Sequence, residues 1–362
     1  MNADRRLAAV RRRLADSEAD ALFITGISNV VYVTGFDGVF DEHANAACLV
    51  TAELARAYTD SRYAEVAELA SRGTAWSVTV SSDPLDDRMC EDLAGTGVTT
   101  LGFEASLSFS RHRTLSEKSG VNLCATEQWV EELREVKEAA ETERIAAAAS
   151  LTDRTFDHIL GVLAPGMTEA EVAVEIESFM RRNGSEGVAF PSIVASGPNS
   201  SRPHATVTGR RIEPGDPLTM DFGARIGGYC ADMTRTVVVG RASEEFRRVY
   251  DAVLAANRAG AAAVRGGTPG IDIDRVARDS LSDAGFGEFF GHGLGHGVGL
   301  DVHELPSVGP RGTRPVPAGA VVTVEPGVYM EGRFGVRIED LVRVEDDGCS
   351  TLSASPRDLI EM

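Results

Sequence analysis

The first third of the chain alternates between two hydrophobic periods. MNADRRLAAVRRRL sets apolar residues at helical spacing on an arginine-rich background and predicts an opening amphipathic helix. ALFITG and VVYVTGF are short apolar runs rich in β-branched residues, and ACLVTAE and ARAYTDSRY follow the same habit, so all four predict strands. AEVAELASR returns to the helical period, and VTTLGFE is a further strand with a helix expected after it. This alternation predicts a small α/β layer domain over residues 1–128.

From residue 129 the composition changes. WVEELREVKEAAETERIAAAASLTDRTFDHIL is dense in Ala, Glu and Arg and predicts one long helix or two linking the domains. Beyond it, EAEVAVEIESFMRRNG, EEFRRVYDAVLAANRAGAAAV and IDIDRVARDSLSDAG carry the helical period, separated by Gly and Pro punctuation and by strand pairs. APGMTEAEV and RGGTPGIDIDRV share a turn-then-helix spacing, which hints at a duplicated unit. Residues 129–362 are expected to form a second domain.

Two strand pairs in that domain bring carboxylates together. In PLTMDFGARIGGYCADMTRTVVVG, a two-residue turn at Ile226 and Gly227 places Asp221 opposite Asp232. In VVTVEPGVYMEGRFGVRIEDLVRV, a three-residue loop centred on Gly332 places Glu325 opposite Glu339. Like charges directly opposite on one sheet face destabilise the pair unless a cation neutralises them. A single Asp or Glu is ordinarily a solvated charge; two mirrored pairs point instead to divalent metal.

GHGLGHGVGLDVHE, residues 291–304, supplies His292, His296 and His303 in a chain with only 7 histidines. Adding His296 to the four carboxylates makes a ligand set suited to two hard or borderline ions, Mn²⁺, Co²⁺ or Zn²⁺. His303-Glu304 is not an HExxH zinc motif, because Pro306 and Ser307 follow. Neither a dinucleotide fingerprint nor a phosphate loop occurs.

Composition narrows the class further. A chain of 362 residues, 43% hydrophobic, can bury two cores. It has no apolar run of the roughly 18 residues a membrane helix needs and no signal-peptide block, so the expectation is a cytoplasmic protein. Its 5 scattered cysteines suggest neither a disulfide framework nor a zinc knuckle. A net charge of −19 argues against nucleic acid as a partner.

MDFGARIGGYCADMTRT, GHGLGHGVGLDVHE, VVTVEPGVY and GVRIED together resemble the metal-site segments of the pita-bread metallopeptidases, the family of prolidases, aminopeptidases P and methionine aminopeptidases. The resemblance covers about residues 134–362. It implies an α/β N-terminal domain plus an α+β pita-bread (creatinase/aminopeptidase) catalytic domain. It also implies Asp221, Asp232, His296, Glu325 and Glu339 as ligands of two divalent ions, Mn foremost with Co or Zn as alternatives, Asp232 and Glu339 bridging both. A whole α/β domain ahead of the catalytic one fits prolidases, aminopeptidases P and creatinases better than methionine aminopeptidases. FPSIVASGPNSSRPHA resembles the prolidase and aminopeptidase P segment whose histidine lines the substrate site, which gives His204 that role.

The chemistry implied is attack on a carbonyl by a water shared between two ions roughly 3.5 to 4 Å apart. Glu325 is the expected general base, His204 and His303 the donors to the developing oxyanion, and His292 a substrate-orienting group. Arg337, two residues before Glu339 on the same strand face, is expected either to steady the site or to meet a substrate carboxylate. The implied substrates are dipeptides or short peptides with proline in second position, with a lean towards dipeptides. Loops around residues 39–45, or a second subunit of a homodimer, would then limit peptide length.

Three rivals stand beside this reading. A metal-dependent hydrolase or lyase acting on a small non-peptide substrate is the nearest. A metal-independent creatinase-like amidinohydrolase and a non-catalytic peptide-binding module have no reason to keep all five ligands.

Overall fold

A computed structural model describes residues 3–41 and 43–362. Met1 and Asn2 of the predicted opening helix, and Glu42 of the 39–45 loop, lie outside the described residues. The chain divides into two units, Met1–Arg134 and Glu135–Met362. The sequence reading set its boundary at 128/129. Residues just beyond it are tied to the first unit: Asn29 bonds the side chains of Glu131 (2.7 Å) and Arg134 (2.7 Å), and the Tyr32 hydroxyl donates to the Leu133 carbonyl (2.8 Å).

The first unit is built on a six-stranded sheet in the order Ser77–Val80, Ala55–Thr59, Ala46–Thr51, Ala21–Ile24, Thr100–Glu104, Asn122–Thr126. Its central strands pair antiparallel and its flanks parallel. Phe23, Leu49, Tyr58, Leu101 and Leu115 fill one core.

VVYVTGF is not a strand. Ile27–Thr34 is a helix, stopped by Gly35 at φ 68°, whose N–H donates to the Val31 carbonyl. Asn29, Val30, Tyr32, Val33 and Thr34 are all buried, so the helix is enclosed on most sides and shows no period. In such a run, burial overrides the β preference of valine, and periodicity alone cannot separate helix from strand.

In the second unit the predicted helices appear as Ala139–Val162, Glu169–Arg182, Glu244–Ala263 and Gly270–Asp283. One three-stranded sheet orders Met233–Val238, Pro217–Phe222, Ile193–Ser196; a five-stranded one orders Glu304–Val308, Gly295–Gly297, Val321–Val324, Asp340–Glu345, Gly348–Thr351. The suspected duplication is visible at the helix starts. Thr168 and Pro269, the residues preceding the second helix of each pair, both make isolated antiparallel bridges, to Arg211 and Pro315. Val249, Val253, Ile273, Leu294, Val322, Val324 and Val342 form the main core of this unit.

The two hairpins differ in register. The second has the predicted register: Gly327 faces Arg337 and Val324 faces Asp340, with Glu325 and Glu339 opposite each other between the two ladders. The first slips by two residues. Its turn is at Gly227 and Gly228, both at positive φ (57° and 81°), and Asp221 faces Thr234, not Asp232. Two adjacent glycines at positive φ suit the tight hairpin turn better than Ile226 does. A slip of two keeps every side chain on its face, so both aspartates remain on one side as diagonal neighbours.

Candidate metal centre

Backbone crowding places the candidate ligands. The ladder that carries Asp221 breaks at Gly223, where a Cβ would lie 1.8 Å from the Ala231 carbonyl oxygen, and Asp232 sits just beyond that break. His296 occupies the middle of the strand Gly295–Gly297. Its two glycine neighbours meet backbone so closely that a Cβ would fall 2.0 Å from Thr323 O and 2.1 Å from Leu305 O. Only glycine fits there, which accounts for the GHG spacing.

The candidate ligands converge. His296 Nε2 lies 3.2 Å from Glu325 Oε1 and 3.7 Å from Asp232 Oδ2. Ligand atoms of Asp232, His296 and Glu339 all fall within 4.8 Å of one another, a spacing one cation can bridge. Asp221, Asp232 and Glu339 are buried, yet Asp221 Oδ1, Asp232 Oδ1 and Glu339 Oε1 have no hydrogen-bond partner. Buried carboxylate oxygens without donors are costly, and metal coordination is what would satisfy them. His296 fits the same role. Nδ1 is 3.1 Å from the Gly297 carbonyl, which places the proton there and leaves Nε2 as the ligand atom.

Electrostatics agree with a cation site. Burial, reinforced by neighbouring carboxylates, pushes Asp232 and Glu339 well above the usual carboxylate range. Asp221 is raised as well, chiefly by burial, although Arg337 opposes it. Burial would also raise Glu325, but the hydrogen bond and charge of His296 outweigh it and hold that carboxyl at about 2. Conversely, burial pulls His296 down and Glu325 more than compensates, leaving it raised. A field that raises an imidazole this buried would equally favour a divalent ion.

Arg337 is committed within the site. It is buried, and its Nη2 lies 2.5 Å from Asp221 Oδ2. Nε donates to Thr234 Oγ1 (2.9 Å), and Nη1 to Tyr329 OH (2.9 Å) and Pro203 O (3.1 Å). Of the two roles expected for Arg337, this geometry is that of a steadying group. Thr234 in turn donates to Glu339 Oε2 (2.7 Å).

A cavity of about 310 Å³ opens over the cluster, lined by the five ligand candidates' Asp221, Asp232, His296, Glu325 and Glu339, by His204, His292 and His303, and by Arg311. His292 has both ring nitrogens engaged, Nδ1 with the Gly293 carbonyl (2.8 Å) and Nε2 with Tyr329 OH (2.9 Å). Burial lowers the pKa of His292 and of His303, the latter with help from His296. The His303 ring lies 4.2 Å from that of His296.

Sequence reasoning missed Thr234, Tyr329 and Arg311. Thr234 was findable as the second residue after Asp232 on one strand face, and Tyr329 as the diagonal neighbour of Arg337 across the second hairpin. Arg311 sits in the irregular segment GPRGTRP, which has no period to read.

The comparisons with known proteins fit this geometry. Residues 143–346 match the model of metallopeptidase family M24, and residues 6–136 match the creatinase/prolidase N-terminal domain. An Xaa-Pro dipeptidase of Pyrococcus furiosus is 33% identical over 98% of this chain and 99% of its own. The solved structure of an Xaa-Pro dipeptidase from Bacillus anthracis superposes with a TM-score of 0.94 at 34% identity, covering 100% of both chains. That of an X-Pro aminopeptidase from Thermotoga maritima gives 0.85 at 36%, covering 97% of this chain and 100% of that one. The chain belongs to metallopeptidase family M24, with a creatinase-type α/β domain ahead of a pita-bread catalytic domain. Membership in that family implies a divalent-metal-dependent enzyme.

Proposed function

We propose that this protein hydrolyses the bond between an N-terminal residue and proline in dipeptides and short peptides. The observation that carries the proposal is the buried carboxylate cluster with unpaired oxygens at the base of a small cavity, in a chain matched end to end by enzymes named for Xaa-Pro substrates. Asp221, Asp232, His296, Glu325 and Glu339 would hold two divalent ions. Four carboxylates and one imidazole suit Mn²⁺, with Co²⁺ and Zn²⁺ as alternatives. When bound, the ions supply acidification of a shared water and polarisation of the scissile carbonyl.

The remaining work falls to side chains. Glu325, ionised well below neutral pH, takes the proton of the attacking water and passes it to the proline nitrogen. His204 and His303 donate to the carbonyl oxygen as it gains charge. The downward shift of His303 means that it does so as a neutral imidazole. His292, its nitrogens taken, orients substrate with its ring and holds Tyr329 against Arg337. Arg311, exposed at the cavity and without an ion pair among the described residues, would receive a free carboxylate. A carboxylate on the proline itself exists only in a dipeptide, and this supports the dipeptidase lean.

A bond to proline lacks an N–H and carries a fixed ring, so it needs a dedicated pocket. The proposal is completed by a homodimer working in the cytoplasm. No helix among the described residues is long and apolar enough to cross a membrane, and the 5 cysteines are unpaired, as a reducing compartment would keep them. Relative kcat/KM on Ala-Pro, Ala-Pro-Ala and Ala-Ala tests the substrate. Ala-Pro is expected to be fastest and Ala-Ala negligible; equal rates on Ala-Ala would overturn the proline requirement.

A further inference from the structure

Glu169 is a fully buried carboxylate with no part in the chemistry above. It is the first residue of the helix Glu169–Arg182, and its two oxygens accept five hydrogen bonds. Oε1 takes the Ser196 N–H (2.7 Å) and hydroxyl (2.8 Å). Oε2 takes the Asn199 side-chain amide (3.0 Å), the Thr208 N–H (3.0 Å) and the Thr208 hydroxyl (2.6 Å). Every donor comes from the two ends or the first turn of one loop, residues 196–208.

That loop carries His204 into the cavity, and the His204 ring makes no hydrogen bond among the described residues. Its position therefore depends on the backbone that delivers it. The loop is tied at its tip by the Pro203 carbonyl, which accepts from Arg337 (3.1 Å), and at its base by Glu169. We infer that Glu169 is a positioning residue, acting through the 196–208 loop to hold His204 over the reacting carbonyl. The inference rests on the role proposed for His204.

A carboxylate is required at this point. Glutamine presents two N–H donors at one end, so in either orientation it sets them against at least one fixed backbone N–H, that of Ser196 or of Thr208, and leaves buried groups unsatisfied. Stability loss alone would accompany any structural role. Coupling to His204 would not, and a double-mutant cycle measures it.

The test compares wild type, Glu169→Gln, His204→Ala and the double variant on Ala-Pro at saturating Mn²⁺, with metal content and amide exchange recorded for each. Glu169→Gln is expected to lower kcat/KM about tenfold in the wild-type background and roughly twofold or less in the His204→Ala background. Metal content stays unchanged, and exchange quickens in 196–208 but not in 291–304. The same fold loss in both backgrounds would overturn the inference, as would unaltered exchange in 196–208. Should Glu169→Gln fail to fold, Ser196→Ala and Thr208→Val each remove one donor and carry the same cycle. If wild type does not cleave Ala-Pro, the substrate reading falls on its own, while the exchange comparison still decides whether Glu169 holds the loop.

Discussion

Arg337 and Asp221 form a buried ion pair, 2.5 Å between Nη2 and Oδ2, that occupies one carboxylate oxygen and leaves Oδ1 without a partner. The guanidinium thus fixes the orientation of the Asp221 carboxylate, while Thr234 and Tyr329 fix the guanidinium. Arg337→Met is expected to lower kcat/KM on the order of 100-fold or more, because a buried carboxylate loses its counter-charge. Arg337→Lys should restore little of it, since an ammonium cannot span Asp221, Thr234, Tyr329 and Pro203 from one plane. Steady-state kinetics at saturating metal check both variants.

The pH dependence of stability follows from the same cluster. In the metal-free protein Asp221, Asp232 and Glu339 are raised by burial and by neighbouring carboxylate charges, that of Glu325 acting on all three. Between their unfolded and folded values the folded chain holds more protons, so their ionisation makes stability fall as pH rises through that window. Glu325 acts oppositely. Held at about 2, it contributes stability above its unfolded 4.5 that is lost as pH falls towards 2. Metal-free protein is therefore expected to melt lower near pH 7 than near pH 5, and added divalent ion to reverse the order at neutral pH. Melting curves of stripped and loaded protein at the two pH values check the sign.

Arg311 offers a test of how peptide length is read. Losing a charge-assisted hydrogen bond to the proline carboxylate costs about 1.5 to 3 kcal/mol. Arg311→Ala is expected to raise KM for Ala-Pro roughly tenfold or more, and to change KM for Ala-Pro-Ala far less. Paired KM measurements on the two peptides decide it.

The glycines around His296 predict a structural failure with a catalytic readout. Gly297→Ala would drive a Cβ to 2.1 Å from the Leu305 carbonyl oxygen. The expected cost is about 3 kcal/mol of stability, together with loss of metal, because the strand that carries His296 must shift. Thermal unfolding with metal analysis checks both.

These outcomes show where sequence was informative and where it was not. The Glu325/Glu339 register was legible because one three-residue loop around Gly332 sets both ladders of the long hairpin. The Asp221/Asp232 register was not, since IGG offers two tight turns and only the pair of positive-φ glycines decides between them. The same-face conclusion survived because the period of a strand is two. VVYVTGF misled through its valines, whose strand preference yields to burial on most sides of a short helix. Glu169 is bonded to Ser196 and Thr208, segments 27 and 39 residues further along the chain, and no local pattern encodes these contacts. Motif spacing named the candidate ligands; the groups bonded to them needed the fold.

The most direct test of the account is Ala-Pro hydrolysis by metal-stripped protein, with and without Mn²⁺, Co²⁺ or Zn²⁺, alongside Asp232→Asn. Activity is expected to return with added metal, at two ions bound per chain, and to be absent from the variant at any metal concentration. Cleavage by stripped protein that metal does not raise, or an Asp232→Asn variant as active as wild type, would contradict it.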